Sequence, residues 1–363
     1  MKPRPKPGIL DITAYVGGRS PEPGGPGAIK LSSNESALGA SPAAIAAYEA
    51  ARAELSSYPE GSARVLRETV AEVHHLDPGR VVCGNGSDEI LSQLAHAYLS
   101  PGDEVLFTEH AFLVYRIAAH ANSAVPIAVP ETNLRADVTA MLAAATPRTR
   151  LVYLANPNNP TGSCLSATEI RRLHDGLPDS TLLVIDAAYA EYVRRDDYEA
   201  GAELVTRFDN VVMTRTFSKI YGLAGLRVGW AFCPQAVADT LNRIRGPFNV
   251  SIPAQRAAAA ALRDREHVAR SIAHNAEWKS RLARNIHACG LQTDEGEGNF
   301  LLVRFASPQQ AQSADAFLTA RGFILRPVAN YGLPHCLRLT IGSEEACRGV
   351  AAALADFTQQ CAA

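Results

Sequence analysis

Two periods alternate along most of this chain. Short, mainly apolar runs without polar alternation recur at Glu104–Phe107, Val125–Val129, Leu151–Leu154, Leu182–Ile185, Val211–Thr214 and Val228–Phe232. Their length, β-branched content and lack of a polar face predict strands of a parallel sheet covered on both sides. Between and before them, apolar residues return every three or four positions, as at Ala43–Leu55, Val65–His74 and Ser87–Leu99, which is the spacing of one helix face. Ser166-Ala-Thr-Glu169 has the form of a capping box and opens a further helix. Strand–helix alternation of this kind predicts an α/β domain wound on both faces of a mostly parallel sheet.

The two ends read differently. The first thirty residues are rich in Pro and Gly and predict an extended arm, which needs something to hold it, often a partner subunit. Beyond Pro247-Phe248-Asn249 a long helical tract, Glu266–Cys289, stops at Gly290. Strands at Phe300–Phe305, Phe323–Leu325 and Leu337–Ile341 and a helix at Glu344–Phe357 follow. The expected organisation is an arm over 1–30, a large α/β domain over 31–264 and a smaller α+β C-terminal domain over 265–363. A chain of 363 residues is long enough for two cores.

Composition removes several function classes. The formal net charge is −2 with both signs dispersed, so no basic surface favours nucleic acid or an anionic membrane. The basic start, Lys2 to Lys6, leads into no apolar stretch of the secretory kind, and no run approaches the length of a membrane span. The seven cysteines are scattered with no C-x-x-C pair, which fits reduced thiols in a cytoplasm better than disulfides or structural zinc. Adjacent His74 and His75 lack partners at ligand spacing and read as helix-surface residues; no metal is expected.

Candidate chemistry gathers at the strand ends, where ligands bind in a doubly wound sheet. Leu151–Leu154 leads into Ala-Asn-Pro-Asn-Asn-Pro-Thr-Gly, a turn that carries the amide of Asn159. Leu182–Ile185 ends in Asp186, with Tyr189 just beyond; an acid closing a buried strand needs a cation or a capping role. Val211–Thr214 runs into Thr216, Ser218 and Lys219, with Arg227 further on. Gly84-Asn-Gly-Ser-Asp-Glu89 puts a glycine turn before a helix, whose free N–H groups and dipole suit a phosphate. A lysine amine, a buried carboxylate, an amide, a phenol and a phosphate cradle with an arginine match pyridoxal 5′-phosphate group by group. No G-x-G-x-x-G follows the first predicted strand, which argues against a nicotinamide dehydrogenase.

N-P-T-G, then D-x-x-Y, then S-K followed by R-x-G, in this order, resembles the fold-type I aminotransferases, and more narrowly their histidinol-phosphate branch. The likeness runs from Pro7-Gly-Ile-Leu-Asp-Ile-Thr-Ala-Tyr15 to Leu337-Arg-Leu-Thr-Ile-Gly342. It implies that Lys219 condenses with the cofactor aldehyde and later shuttles the substrate proton. It also implies that Asp186 pairs with the pyridine nitrogen, that Asn159 and Tyr189 bind the phenolic oxygen, and that Phe112 stacks on the ring. Thr216, Ser218, Arg227 and the backbone of Ser87 and Asp88 would hold the phosphate, with Tyr58 reaching across from a second subunit of a homodimer.

On the substrate side the resemblance implies Arg338 and Asn34 for an α-carboxylate, and Tyr15, Tyr115 and Arg326 for the distal phosphate of histidinol phosphate. The same cations would serve the carboxylates of glutamate, so a small amino donor and a 2-oxo acid acceptor would share one site. Two positions depart from the family pattern: Asn34-Glu35-Ser36-Ala37 stands for Asn-Glu-Asn-Pro, and Asp186-Ala187-Ala188-Tyr189 for Asp-Glu-Ala-Tyr. An aromatic amino acid aminotransferase is the nearest alternative. A threonine-phosphate decarboxylase-like enzyme and a non-catalytic effector-binding domain are more distant.

Overall fold

The computed structural model describes residues 3–20, 27–294 and 296–362. Of the arm expected over 1–30, residues 1, 2 and 21–26 therefore lie outside the described residues. A seven-stranded sheet forms the centre of the large unit. Its strands in chain order are β1 (Val81–Gly84), β2 (Glu104–Thr108), β3 (Val125–Val129), β4 (Thr149–Ala155), β5 (Leu182–Asp186), β6 (Val211–Thr216) and β7 (Gly229–Phe232). They lie in the order β1-β7-β6-β5-β4-β2-β3. Neighbours from β6 to β3 pair in parallel, whereas β7 runs antiparallel to both β6 and β1.

On the inner strands the apolar runs lack polar alternation because both faces are covered; β3, expected to be covered in the same way, lies at the sheet edge and leaves Val125 exposed. On β4, Leu151 and Tyr153 pack to one side and Val152 and Leu154 to the other; on β5, Leu182 and Val184 oppose Leu183 and Ile185 in the same way. Each such side chain contributes about 1.5–3 kcal/mol by leaving water. Two readings need correction. Val228–Phe232 was expected among parallel strands, but its short connection from β6 returns the chain directly and makes it antiparallel. β1 escaped notice, because Val81-Val-Cys is brief and abuts a glycine turn.

The helices follow their caps. Ser41 accepts from Ala44 N and opens Pro42–Ala50, which tightens to a 3-10 turn over Ala51–Glu54. The capping box at Ser166 and Glu169 is complete in both directions. His74 departs from its expected surface setting: it packs on Trp230 with ring centroids 5.2 Å apart, and burial pushes its imidazole down to about 3.

The smaller unit pairs Arg326–Pro327, Cys336–Thr340, Phe300–Arg304 and Gln292–Asp294 in that order, all antiparallel. The helices Arg265–Ala288, Pro308–Ala320 and Glu344–Ala362 accompany it. Ile29–Lys30 joins this unit by pairing in parallel with Phe323–Ile324, and Leu31 enters its core. The arm is held by its own chain. Ser123 donates to Pro7 O at 2.8 Å, Arg326 to Val16 O at 2.7 Å and Ser32 to Arg19 O at 2.9 Å, while Arg19 pairs with Asp315. Among the described residues, no helix is long and apolar enough to cross a membrane.

Candidate active site

The carboxyl ends of β4, β5 and β6 open on one cleft of about 220 Å³, closed on the far side by the smaller unit and by the arm. β1 runs parallel to β6 with β7 between them, so the turn after Gly84 reaches the same rim. Parallel pairing thus converts distant sequence positions into neighbours. Ala155 of β4 pairs with Asp186 of β5, and Asp186 with Thr214 of β6.

Asp186 is buried at the cleft floor, and both its oxygens are occupied. Tyr115 donates its hydroxyl to Oδ2 at 2.8 Å and Thr214 donates to Oδ1 at 3.0 Å. Burial raises its carboxyl to about 6, against the pull of those two hydrogen bonds. A carboxylate there favours a cationic partner arriving from the cleft.

Lys219 lines the same cleft. Its Nζ donates to Ser33 O at 3.0 Å and sits 5.8 Å from the ring centre of Tyr189. Burial first, and the Arg338 guanidinium second, pull its amine down to about 8. An amine so depressed gives up its proton more readily than an ordinary lysine, as a nucleophile or base requires.

The third corner is a nest of donors. The helix Ser87–Tyr98 starts at Gly86, φ 80°, with no side chain capping its first N–H groups. Arg227 reaches over this turn: Nη1 donates to Ser218 Oγ at 3.2 Å, and Nη2 lies 3.3 Å from Asp88 Oδ2. Thr216 Oγ1 accepts from Ser218 N at 3.1 Å. Space is tight enough to require glycine twice: a Cβ on Gly86 would stand 2.3 Å from Arg227 Nη2, and one on Gly229 2.4 Å from Ser87 N. Uncapped N–H groups beside a guanidinium make an anion site.

The smaller unit supplies two arginines. Arg326 and Arg338 are both buried and stand directly opposite each other on adjacent strands. Like charges so placed repel unless an anion intervenes. Their partners are neutral: Arg338 donates to Asn159 Oδ1 and to Ser32 O, the latter at 2.6 Å, and Arg326 donates to Val16 O. Nε of Arg338 is buried without a partner, and burial lowers the pKa of that guanidinium.

Fourteen of the sequence-predicted residues line this cleft: Tyr15, Asn34, Ser87, Asp88, Phe112, Asn159, Asp186, Tyr189, Thr216, Ser218, Lys219, Arg227, Arg326 and Arg338. Asn34, expected beside a carboxylate, donates instead to the Tyr189 hydroxyl at 2.8 Å. Tyr115 is corrected: it was expected to meet substrate, but it is fully buried, stacks on Tyr153 with centroids 4.7 Å apart and faces Asp186. Tyr58 lies outside its own cleft, 81% exposed and stacked on Phe248. Ser33 and Thr214 were not anticipated. For Thr214 a signal existed, since it sits level with Asp186 on the neighbouring strand.

The donor set fits pyridoxal 5′-phosphate. A raised carboxylate, a depressed amine and a donor nest that a Cβ on Gly86 or Gly229 would crowd all line the one cleft.

Comparison with known proteins gives the same direction. The family of class I and II aminotransferases matches residues 26–354. The chain is 53% identical to a histidinol-phosphate aminotransferase of Rhodopseudomonas palustris strain TIE-1 and 54% identical to one of Nitrobacter hamburgensis, over 99% of both chains in each case. Its fold is similar to a crystal structure of histidinol-phosphate aminotransferase from Sinorhizobium meliloti in complex with pyridoxal 5′-phosphate. That match has a TM-score of 0.88 and 28% identity, covering 92% of this chain and 91% of the other.

Proposed function

The chain belongs to the class I and II aminotransferases and depends on pyridoxal 5′-phosphate, and on that premise we propose that it converts L-histidinol phosphate and 2-oxoglutarate to imidazole acetol phosphate and glutamate, a step of histidine biosynthesis. The register pairing of Arg326 with Arg338 carries the substrate reading. Two buried cations without an acidic partner among the described residues suit a donor with a phosphate dianion and an acceptor with two carboxylates. Arg326 would release Val16 O to take the phosphate of one or the distal carboxylate of the other, with Tyr15 beside it. Arg338 would hold the α-carboxylate of glutamate in a two-pronged contact and would face the hydroxymethyl group of histidinol phosphate.

Bound in this cleft, the cofactor supplies an electron sink for the charge left when a proton leaves the amine-bearing carbon. Asp186 would keep the pyridine nitrogen protonated, Asn159 and Tyr189 would orient the phenolic oxygen, and Phe112 would cover one ring face. Thr216, Ser218, Arg227 and the N–H groups of Ser87 and Asp88 would hold the phosphate. Lys219 Nζ would take the substrate proton as a base and return it as an acid, the exchange for which an amine pulled down to about 8 is suited.

The working unit in this proposal is a homodimer in the cytoplasm, with Tyr58 completing the partner's phosphate site. Its support is the exposure of Tyr58 beside other exposed apolar residues, Ile45, Tyr48, Leu55 and Val65, together with seven unpaired cysteines. Steady-state turnover of histidinol phosphate and phenylalanine at equal concentration tests the substrate. Histidinol phosphate is expected to be faster, and a faster reaction with phenylalanine would replace this reading with an aromatic amino acid aminotransferase.

A further inference from the structure

Behind the cleft lies a second pair of buried charges with no part in the chemistry above. Arg215, near the end of β6, places Nη2 2.7 Å from Oε1 of Glu191, with side chains only 10% and 9% exposed. Glu191 also shares a hydrogen bond with the hydroxyl of Tyr221. Arg215 precedes Lys219 and Tyr221 follows it, so one carboxylate grips both flanks of the loop that carries the reactive amine. That loop is tightly closed: Gly222 N donates to Lys219 O and Leu223 N to Phe217 O, both at 3.0 Å. At Gly222, φ 67°, an added Cβ would stand 2.2 Å from Gly39 O, so the backbone cannot shift outward to accept a side chain.

Glu191 is anchored in turn to the segment that carries Tyr189. It belongs to the 3-10 turn Ala190–Tyr192 that begins at Tyr189, and Tyr192 N donates to Tyr189 O at 3.0 Å. A buried ion pair is a weak source of stability, because desolvation offsets most of the attraction and apolar side chains of similar size often serve as well. What such a pair supplies here is a fixed distance between the Lys219 loop and the Tyr189 turn.

We propose that Glu191 is a positioning residue for the Lys219 amine, fixing the loop through Arg215 and Tyr221 and fixing Tyr189 through its own turn. The inference rests on the reading of Lys219 as the reacting amine and holds for any amino donor.

Tyr221→Phe removes only the link to the loop. Deuterium uptake at residues 217–223 is expected to rise in both apo- and holoenzyme while Tm hardly moves. The kcat should fall about tenfold at nearly constant KM. The isotope effect with donor deuterated at the amine-bearing carbon should rise as proton transfer slows. Glu191→Leu alone leaves a buried cation and lowers Tm, and the double variant Glu191→Leu/Arg215→Leu should recover Tm but not kcat. A double variant that recovers kcat together with Tm, or a Tyr221→Phe enzyme with unchanged loop uptake and kcat, overturns the proposal. Loop uptake and borohydride trapping at Lys219 report separately, so loss of the Lys219 reading would be recognised by trapping alone.

Discussion

Tyr115 donates its hydroxyl to Asp186 Oδ2 at 2.8 Å from a fully buried position beneath the cleft. The bond opposes the effect of burial and holds the Asp186 carboxyl lower than it would otherwise lie, at about 6. The tyrosine thereby keeps a buried carboxylate charged for its cationic partner.

Tyr115→Phe should therefore raise the Asp186 pKa further. If Asp186 pairs with the pyridine nitrogen as proposed, cofactor binding should weaken as pH falls through the Asp186 pKa, because the protonated acid would no longer attract the pyridinium. In the variant this acid limb moves to higher pH, and affinity at pH 7 drops by about tenfold, the loss of one hydrogen bond to a charged group. Titration of apoenzyme with pyridoxal 5′-phosphate by absorbance at several pH values reads both effects. An acid limb that stays in place would remove Tyr115 from this role.

Lys219→Ala should bind cofactor without the borohydride-sensitive visible band and lose turnover, with its fold intact by circular dichroism. Lys219→Met gives a second readout in the apoenzyme. The unfolded chain keeps the ammonium proton up to about the ordinary 10.5, whereas the folded chain releases it near 8. Folding thus expels a proton between those values, and wild-type stability rises there with pH. Below about 8 the wild type carries the full cost of a buried ammonium, so the variant should melt higher at pH 7. The gap should close as pH approaches 10.5. Thermal melts of both apoenzymes across this range check the sign.

Much of this arrangement was legible in the chain, and what was not has physical causes. Buried strands show themselves because both faces of the sheet exclude water, which is why Leu151–Leu154 and the core of β5 could be read directly. An apolar run carries no direction, however, so the antiparallel course of β7 was invisible. Phe112 lies in the turn that leads into the helix Val114–Ala121 and Tyr115 in its first turn, a spacing that brings them together but does not tell which faces the cleft and which the acid beneath it. The arm illustrates a different limit. Its composition announces an extended segment, but the anchors that hold it (the Arg326 guanidinium and the Ser123 hydroxyl) lie hundreds of positions away or behind a helix. Nothing in the sequence around Glu191 marks its contact with Arg215.

Arg326 and Arg338 should separate by substrate. Arg338→Gln would remove the proposed α-carboxylate contact and should raise KM for glutamate and phenylalanine by about 10- to 100-fold, the range of a lost charged hydrogen bond. Histidinol phosphate has no such carboxylate and should suffer less. Arg326→Gln should invert the order, penalising histidinol phosphate and glutamate while sparing phenylalanine. Parallel losses on all three donors in both variants would mean that the two arginines act as one structural unit.

Tyr58 gives the test of a shared site. Exposed at 81% and stacked on Phe248, it stands away from its own cleft. Tyr58→Phe should release cofactor faster on dialysis, and Arg338→Gln should be slow with glutamate. Each parent dimer carries its defect in both sites. A mixed dimer of the two variants concentrates both lesions in one cleft and leaves the other with an intact Arg338 and an intact partner Tyr58. Random mixing makes half the dimers mixed, each with one sound site, so about a quarter of wild-type activity should return. Refolding the variants together and separately, then assaying with glutamate at a concentration the Arg338 variant cannot use, measures that fraction. Activity no greater than the mean of the two parents would mean that each cleft works with its own chain alone.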